Sequence, residues 1–140
     1  MDGVWLSHEP DKGAELSILP KERGFTLDMP TSGKSRWISL SFTLPVETLR
    51  SGRYLCLLVK AASVGFLSYR PYLRYLHDGR FTDQTARDFM VSSGGEKEQL
   101  CHLALDQALL ANCSGAEAHL FFQGTNFRAE FQSVEVLLIT

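Results

Sequence analysis

Along most of the chain, apolar residues recur at every second position, the period of a strand with one face in a core. In "RWISLSFTL" (36–44), Ile38, Leu40, Phe42 and Leu44 share one face, and Trp37, Ser39, Ser41 and Thr43 share the other. "RYLCLLVKAAS" (53–63) follows the turn signal "RSG" and is apolar on both faces for several residues. That is the pattern of a central strand covered on both sides. "VWLSHE" (4–9), "AELSIL" (14–19) and "GFTLDM" (24–29) are shorter runs, separated by Pro10, Pro20 and Pro30.

The second half continues the theme. "RFTDQTARDFMVSS" (80–93) reads as extended and ends in Gly94-Gly95, and "EQLCHLAL" (98–105) alternates. "EAHLFFQG" (117–124) and "FRAEFQSVEVLLIT" (127–140) are joined by "GTN", which predicts a hairpin-type connection. The last run passes from alternating to continuously apolar, so its end is expected to be buried. "LDQALLANCSG" (105–115) carries Leu105, Ala108, Leu109 and Asn112 at helical spacing before a Ser-Gly stop, a short helix or turn on a connection.

Two periods compete in "FLSYRPYLRYLHDGRFTD" (66–83). Tyr69, Tyr72, Leu73 and Leu76 fit a helical stripe. The strand alternative puts Leu67, Tyr69, Leu73, Tyr75 and His77 on one face and Ser68, Arg70, Tyr72, Arg74 and Leu76 on the other. Pro71 suits a helix start better than a central strand. The aromatic enrichment and the Asp78-Gly79 pair favour a strand closed by a turn. Some nine or ten strands at this spacing predict an all-β, two-sheet antiparallel β-sandwich, with jelly-roll topology preferred and at most one or two short helices. Neither a repeat nor a linker divides residues 1–140, which read as one β-sandwich domain.

Composition narrows the function classes. With 44% hydrophobic and 21% charged residues the chain is globular. A formal charge of −2 argues against a nucleic-acid partner. The apolar runs are strand-sized, which argues against a membrane-spanning segment. "MDGVWLSHEP" has no apolar leader core, and Cys56 and Cys101 sit in apolar alternation as small core residues, with Cys113 the third cysteine. The expected compartment is reducing and cytoplasmic.

Catalytic signatures are missing: there is no GxSxG, Walker loop or GxGxxG, and "SSGGEK" (92–97) reads as a loop between strands. No catalytic residue, cofactor or metal ligand is assigned. His8, His77, His102 and His119 are far apart in sequence, and a cupin-like metalloenzyme would need the fold to gather them. Asp78, Asp83 and Asp88 read as solvated loop and edge charges, and a structural calcium stays open without an EF-type loop.

Binding is the stronger reading. A sheet that recognises sugars needs a flat aromatic for the sugar's C–H face and planar polar groups for its hydroxyls. Arg70, Tyr72 and Arg74 project together at alternate positions, and Arg80, Asp83, Gln84 and Arg87 follow in the next run. Trp37, on the polar side of its strand, is a second stacking candidate. The bland reading makes these rings ordinary packing with arginines lying over them.

The stretches "RPYLRYLHDGRFTD" and "AHLFFQGTNFRAEFQSVEVLLI" resemble β-jelly-roll, carbohydrate-binding-module-like (galactose-binding-like) domains, from Tyr54 onward. The resemblance implies a non-catalytic domain that binds a carbohydrate or another polar ligand. It carries no residue across by position. The alternative is a structural or assembly protein that uses the same face against another copy or a partner chain, since Arg and aromatic residues also favour protein interfaces.

Overall fold

The computed structural model describes residues 3–123 and 126–140. Among the described residues there are nine strands: β1 (Val4–His8), β2 (Glu15–Pro20), β3 (Phe25–Thr31), β4 (Ile38–Leu44), β5 (Tyr54–His77), β6 (Arg80–Thr85), β7 (Met90–Ala104), β8 (Gly115–Gln123) and β9 (Phe127–Ile139). Two short helices, α1 (Val46–Leu49) and α2 (Gln107–Asn112), lie on connections. The Asp106 carboxylate caps α2 by accepting from the backbone N–H groups of Ala108 and Leu109.

The strands form two antiparallel layers joined through β5. The first half of β5 pairs with β7 and β9, β7 continuing alongside β5 as far as Tyr69, and β9 pairs with β3, which pairs with β2. The second half pairs with β6 and β8, and β8 pairs with β4, which pairs with β1. Residues 53–63 and 66–77 are therefore one strand of 24 residues, not two. The bend falls where the pairing register shifts, and Gly65 lies there at φ 83°, a conformation other residues resist.

Side-chain parity decides the core. Leu55, Leu57, Val59, Leu67, Tyr69, Leu73 and Tyr75 of β5 all point between the layers and are buried. They meet Leu27 and Met29 from β3, Leu40 from β4, and Leu120 and Phe122 from β8. The strand alternative for 66–77 thus holds and the helical stripe does not. Cys56, Cys101 and Cys113 are buried free thiols. Burial pushes the Cys101 thiol up to about 11.

Four expectations are corrected. The "SSGGEK" stretch is not a loop, because β7 runs through Gly94-Gly95 as an irregular, register-shifted strand. Residues 80–93 are split between β6 and β7. β8 and β9 are not a hairpin: β8 lies between β4 and β5, and β9 lies between β5 and β3 in the other layer. Gly124 and Thr125 of the "GTN" connection lie outside the described residues. Finally, the end of β9 is not buried. β3 pairs only as far along β9 as Phe131, so the last residues pair with β5 alone, and Val136, Leu137 and Ile139 are exposed.

Candidate functional site

The outer face of the β1–β4–β8–β5–β6 layer collects side chains that looked unrelated in the sequence. Register sets them in rows. Trp5, Ser41, His119, Tyr72 and Thr85 lie in line across the five strands. Ser7, Ser39, Phe121 and Arg70 form the next row, and Thr43, Glu117, Arg74 and Asp83 the row on the other side. Trp37, immediately before β4, shares the Ser39 parity.

Two clefts open on this face. One, of about 490 Å³, is lined by Trp5, Trp37, Phe81 and Phe121, with Arg74, Glu117, His119, Ser7 and Ser39 as its polar groups. The other, of about 330 Å³, is lined by Tyr72, Gln123 and Arg36 and shares Trp37 and Phe121 with the first. Phe121 is the hub of the rings. Its centroid is 4.8 Å from Tyr72, 6.4 Å from Trp37 and 5.7 Å from His119, and Trp5 meets His119 edge-on at 6.4 Å. These spacings lie within the range of favourable aromatic pairs.

The polar groups are fixed in place. Arg74 donates from Nε and Nη2 to both oxygens of Asp83, at 2.7 and 2.8 Å, and its guanidinium carbon stands 3.9 Å over the Phe81 ring. A partly exposed pair of this kind adds little stability, but the fork orients Arg74 toward the cleft. His119 is 4% exposed. Its Nδ1 lies 2.7 Å from Ser41 Oγ and its Nε2 lies 3.0 Å from Glu117, and Ser41 reaches Ser39 at 3.3 Å. The order Ser–His–carboxylate suggests hydrolysis only superficially. Ser41 is fully buried, and the chain of hydrogen bonds lies beneath the cleft as its floor.

Burial holds the His119 pKa below its ordinary value of 6.5; the positive charge of Arg74 adds to this, and Glu117 and Asp83 oppose it without winning. The sign follows from linkage: the unfolded chain takes up the proton first. His119 thus contributes stability that is full above about pH 6.5 and is lost as pH falls through the folded value. Urea unfolding at pH 7.5 and at pH 5 is expected to show this loss, and His119→Gln is expected to reduce it. An identical pH dependence in the variant would rule the assignment out.

The predicted residues fare differently. Arg70, Tyr72, Arg74 and Asp83 share the outer face, and Trp37 borders both clefts. Arg80 and Gln84 have the opposite parity. Gln84 turns inward, accepting from the Tyr75 hydroxyl at 2.7 Å and donating to the Ala104 carbonyl at 2.5 Å. Arg80 pairs with His77 at the hairpin end. Arg87 stands in the β6–β7 connection, beside a separate depression along β7. Arg80, Gln84 and Arg87 therefore do not join the set. Sequence reasoning missed Trp5, Phe81, Glu117, His119 and Phe121. Its available signal was an aromatic or ionisable residue at the outward parity of an alternating strand. Among the described residues no three His, Cys, Asp or Glu side chains gather to hold a metal.

No family model matches this sequence, and no curated protein matches it either. Solved structures do. A family 4 carbohydrate-binding module superposes with a TM-score of 0.70 at 10% identity, over 96% of this chain and 86% of that one. The CBM22-1 xylan-binding domain from Paenibacillus barcinonensis Xyn10C gives 0.66 at 7% identity, with the same coverage of 96% and 86%. A family 11 module from Clostridium thermocellum, in complex with a β-1,3-1,4-mixed-linked tetrasaccharide, gives 0.62 at 10% identity, over 99% and 91%. The fold is thus the β-sandwich jelly roll of carbohydrate-binding modules.

Proposed function

We propose that this chain is a non-catalytic carbohydrate-binding module that holds an extended β-linked glycan across the outer face of the β1–β4–β8–β5–β6 layer. The observation that carries the proposal is the Phe121-centred row of rings between two contiguous clefts, with oriented polar groups beside it. Tyr72, Trp37 and Phe121 supply flat surfaces for sugar C–H faces. Arg74 and Glu117 supply donors and acceptors at fixed positions for hydroxyls. The jelly-roll neighbours named above support this reading. The buried Ser41 supports a binding role over a catalytic one.

The chain offers a direct readout, because both of its tryptophans, Trp5 and Trp37, line the larger cleft. Titration with xylo-oligosaccharides and mixed-linkage β-gluco-oligosaccharides is expected to shift tryptophan emission saturably. Affinity electrophoresis in gels containing the parent polysaccharides should retard the protein. A flat titration together with unretarded migration across a broad polysaccharide set would overturn the proposal.

A further inference from the structure

Arg70 stands apart from the other arginines of this face. Arg74 is neutralised by Asp83, and Arg36 is paired with Glu9 at 2.8 Å. Glu117, the other acid of the cleft, is engaged with His119. Among the described residues, Arg70 makes neither an ion pair nor a hydrogen bond, and its Nε is enclosed without a partner.

Its position is nevertheless fixed. The guanidinium carbon lies over the Phe89 ring, 3.7 Å from its centroid, so a cation–π contact holds it where no acid does. Its backbone lies opposite Phe121 in the ladder, and Tyr72 is the next outward residue of β5. The guanidinium therefore flanks the ring platform at the edge nearest the β6–β7 connection. Since only Nε is enclosed and the residue is half-buried, the Nη edge is the accessible one. A planar fork of this kind matches a carboxylate geometrically.

We infer that Arg70 is a specificity residue for an acidic glycan, its Nη edge receiving the carboxylate of a uronic-acid substituent or residue while the neutral backbone lies on Phe121 and Tyr72. The inference rests on the reading of this face as a glycan site. A neutral ligand leaves the Arg70 charge uncompensated, whereas a uronate supplies its counter-charge at the Nη edge. No covalent step is involved.

The test compares ligands that differ only in charge. Glucuronoxylan oligosaccharides and the same preparation with its carboxyl groups reduced to hydroxymethyl groups are titrated by calorimetry. The acidic form is expected to bind about tenfold or more tightly, as a charge-assisted pair allows, and the preference should shrink with added salt. Arg70→Gln should erase the preference while leaving affinity for the reduced form within about twofold, and Arg70→Lys should restore only part of it. Thermal melting checks that both variants are folded, which the absence of any ion pair at Arg70 leads one to expect.

Equal affinity of the wild type for both forms would overturn the inference while leaving the glycan reading standing. So would a preference that Arg70→Gln keeps. Arg70-dependent binding of a sulfated glycan without binding of the uronate would overturn the carboxylate assignment in favour of sulfate. Absence of binding to either form and to neutral β-glucans would overturn both readings.

Discussion

Phe131→Ala is expected to lower stability by about 3–5 kcal/mol, the range for deleting a fully packed aromatic ring from a core. Phe131 is 1% exposed and sits where the two layers meet. Its ring stacks on Phe25 at 5.1 Å and packs against Tyr69 and Phe122 at 6.2 Å each. These partners come from β3, β5 and β8, so the ring touches both halves of the sandwich at once. Collapse around the vacated space is restrained because Phe122 is itself wedged against Phe127 at 5.5 Å. Domains of this size have a total stability of about 5–15 kcal/mol, so the loss is a large share of it. Urea unfolding followed by tryptophan emission is the measurement. Arg128→Ala, on the exposed parity of the same strand, is the control and should change stability by less than about 0.5 kcal/mol. A Phe131→Ala variant within about 1 kcal/mol of wild type would show that the aromatic cluster is not the joint between the layers.

Much of this joint could be read from the sequence, because parity survives without knowledge of partners. Leu67, Tyr69, Leu73 and Tyr75 alternate with Arg70, Tyr72 and Arg74, and the core took the first set. What alternation does not encode is where a strand bends or which sheet it joins. The stretch "AASVGFLS" contains a glycine, but only the shape of the sandwich decides that β5 bends there and continues instead of ending. β8 and β9 are consecutive in the chain, yet they pair with different halves of β5, one in each layer. β9 was expected to end in the core because its last residues are apolar. It ends at an edge because β3 is too short to cover it.

The candidate site was half legible for the same reason. Arg70, Tyr72, Arg74 and Trp37 stood out as aromatic and planar polar groups at outward parity. Ser39, Ser41 and His119 did not, since outward serines and histidines normally mean solvent. Here Ser39 and Ser41 are 2% and 0% exposed, although they point away from the core. Three strands, β1, β4 and β8, must bring Trp5, Trp37 and Phe121 together over them before that face becomes enclosed, and no single strand carries that information.

Phe121→Ala is expected to weaken glycan binding by about 2 kcal/mol, roughly thirtyfold in Kd, the size of loss seen when a central aromatic anchor is removed. Phe121 borders both clefts and is the ring through which Tyr72, Trp37 and His119 touch. Its loss separates one platform into two and removes the support that holds Tyr72 on edge at 67°. Phe121→Tyr keeps the ring and should keep most of the affinity. Leu100→Ala, at an exposed position on the other layer, should leave binding unchanged. Calorimetry against whichever oligosaccharide shifts the tryptophan emission decides the matter, with circular dichroism confirming the fold of each variant. If Phe121→Ala binds as wild type does while Leu100→Ala does not, the ligand lies on the opposite layer. The aromatic row would then be packing alone, and the glycan site would have to be sought along Tyr54, Leu100 and Leu137, whose side chains are exposed there.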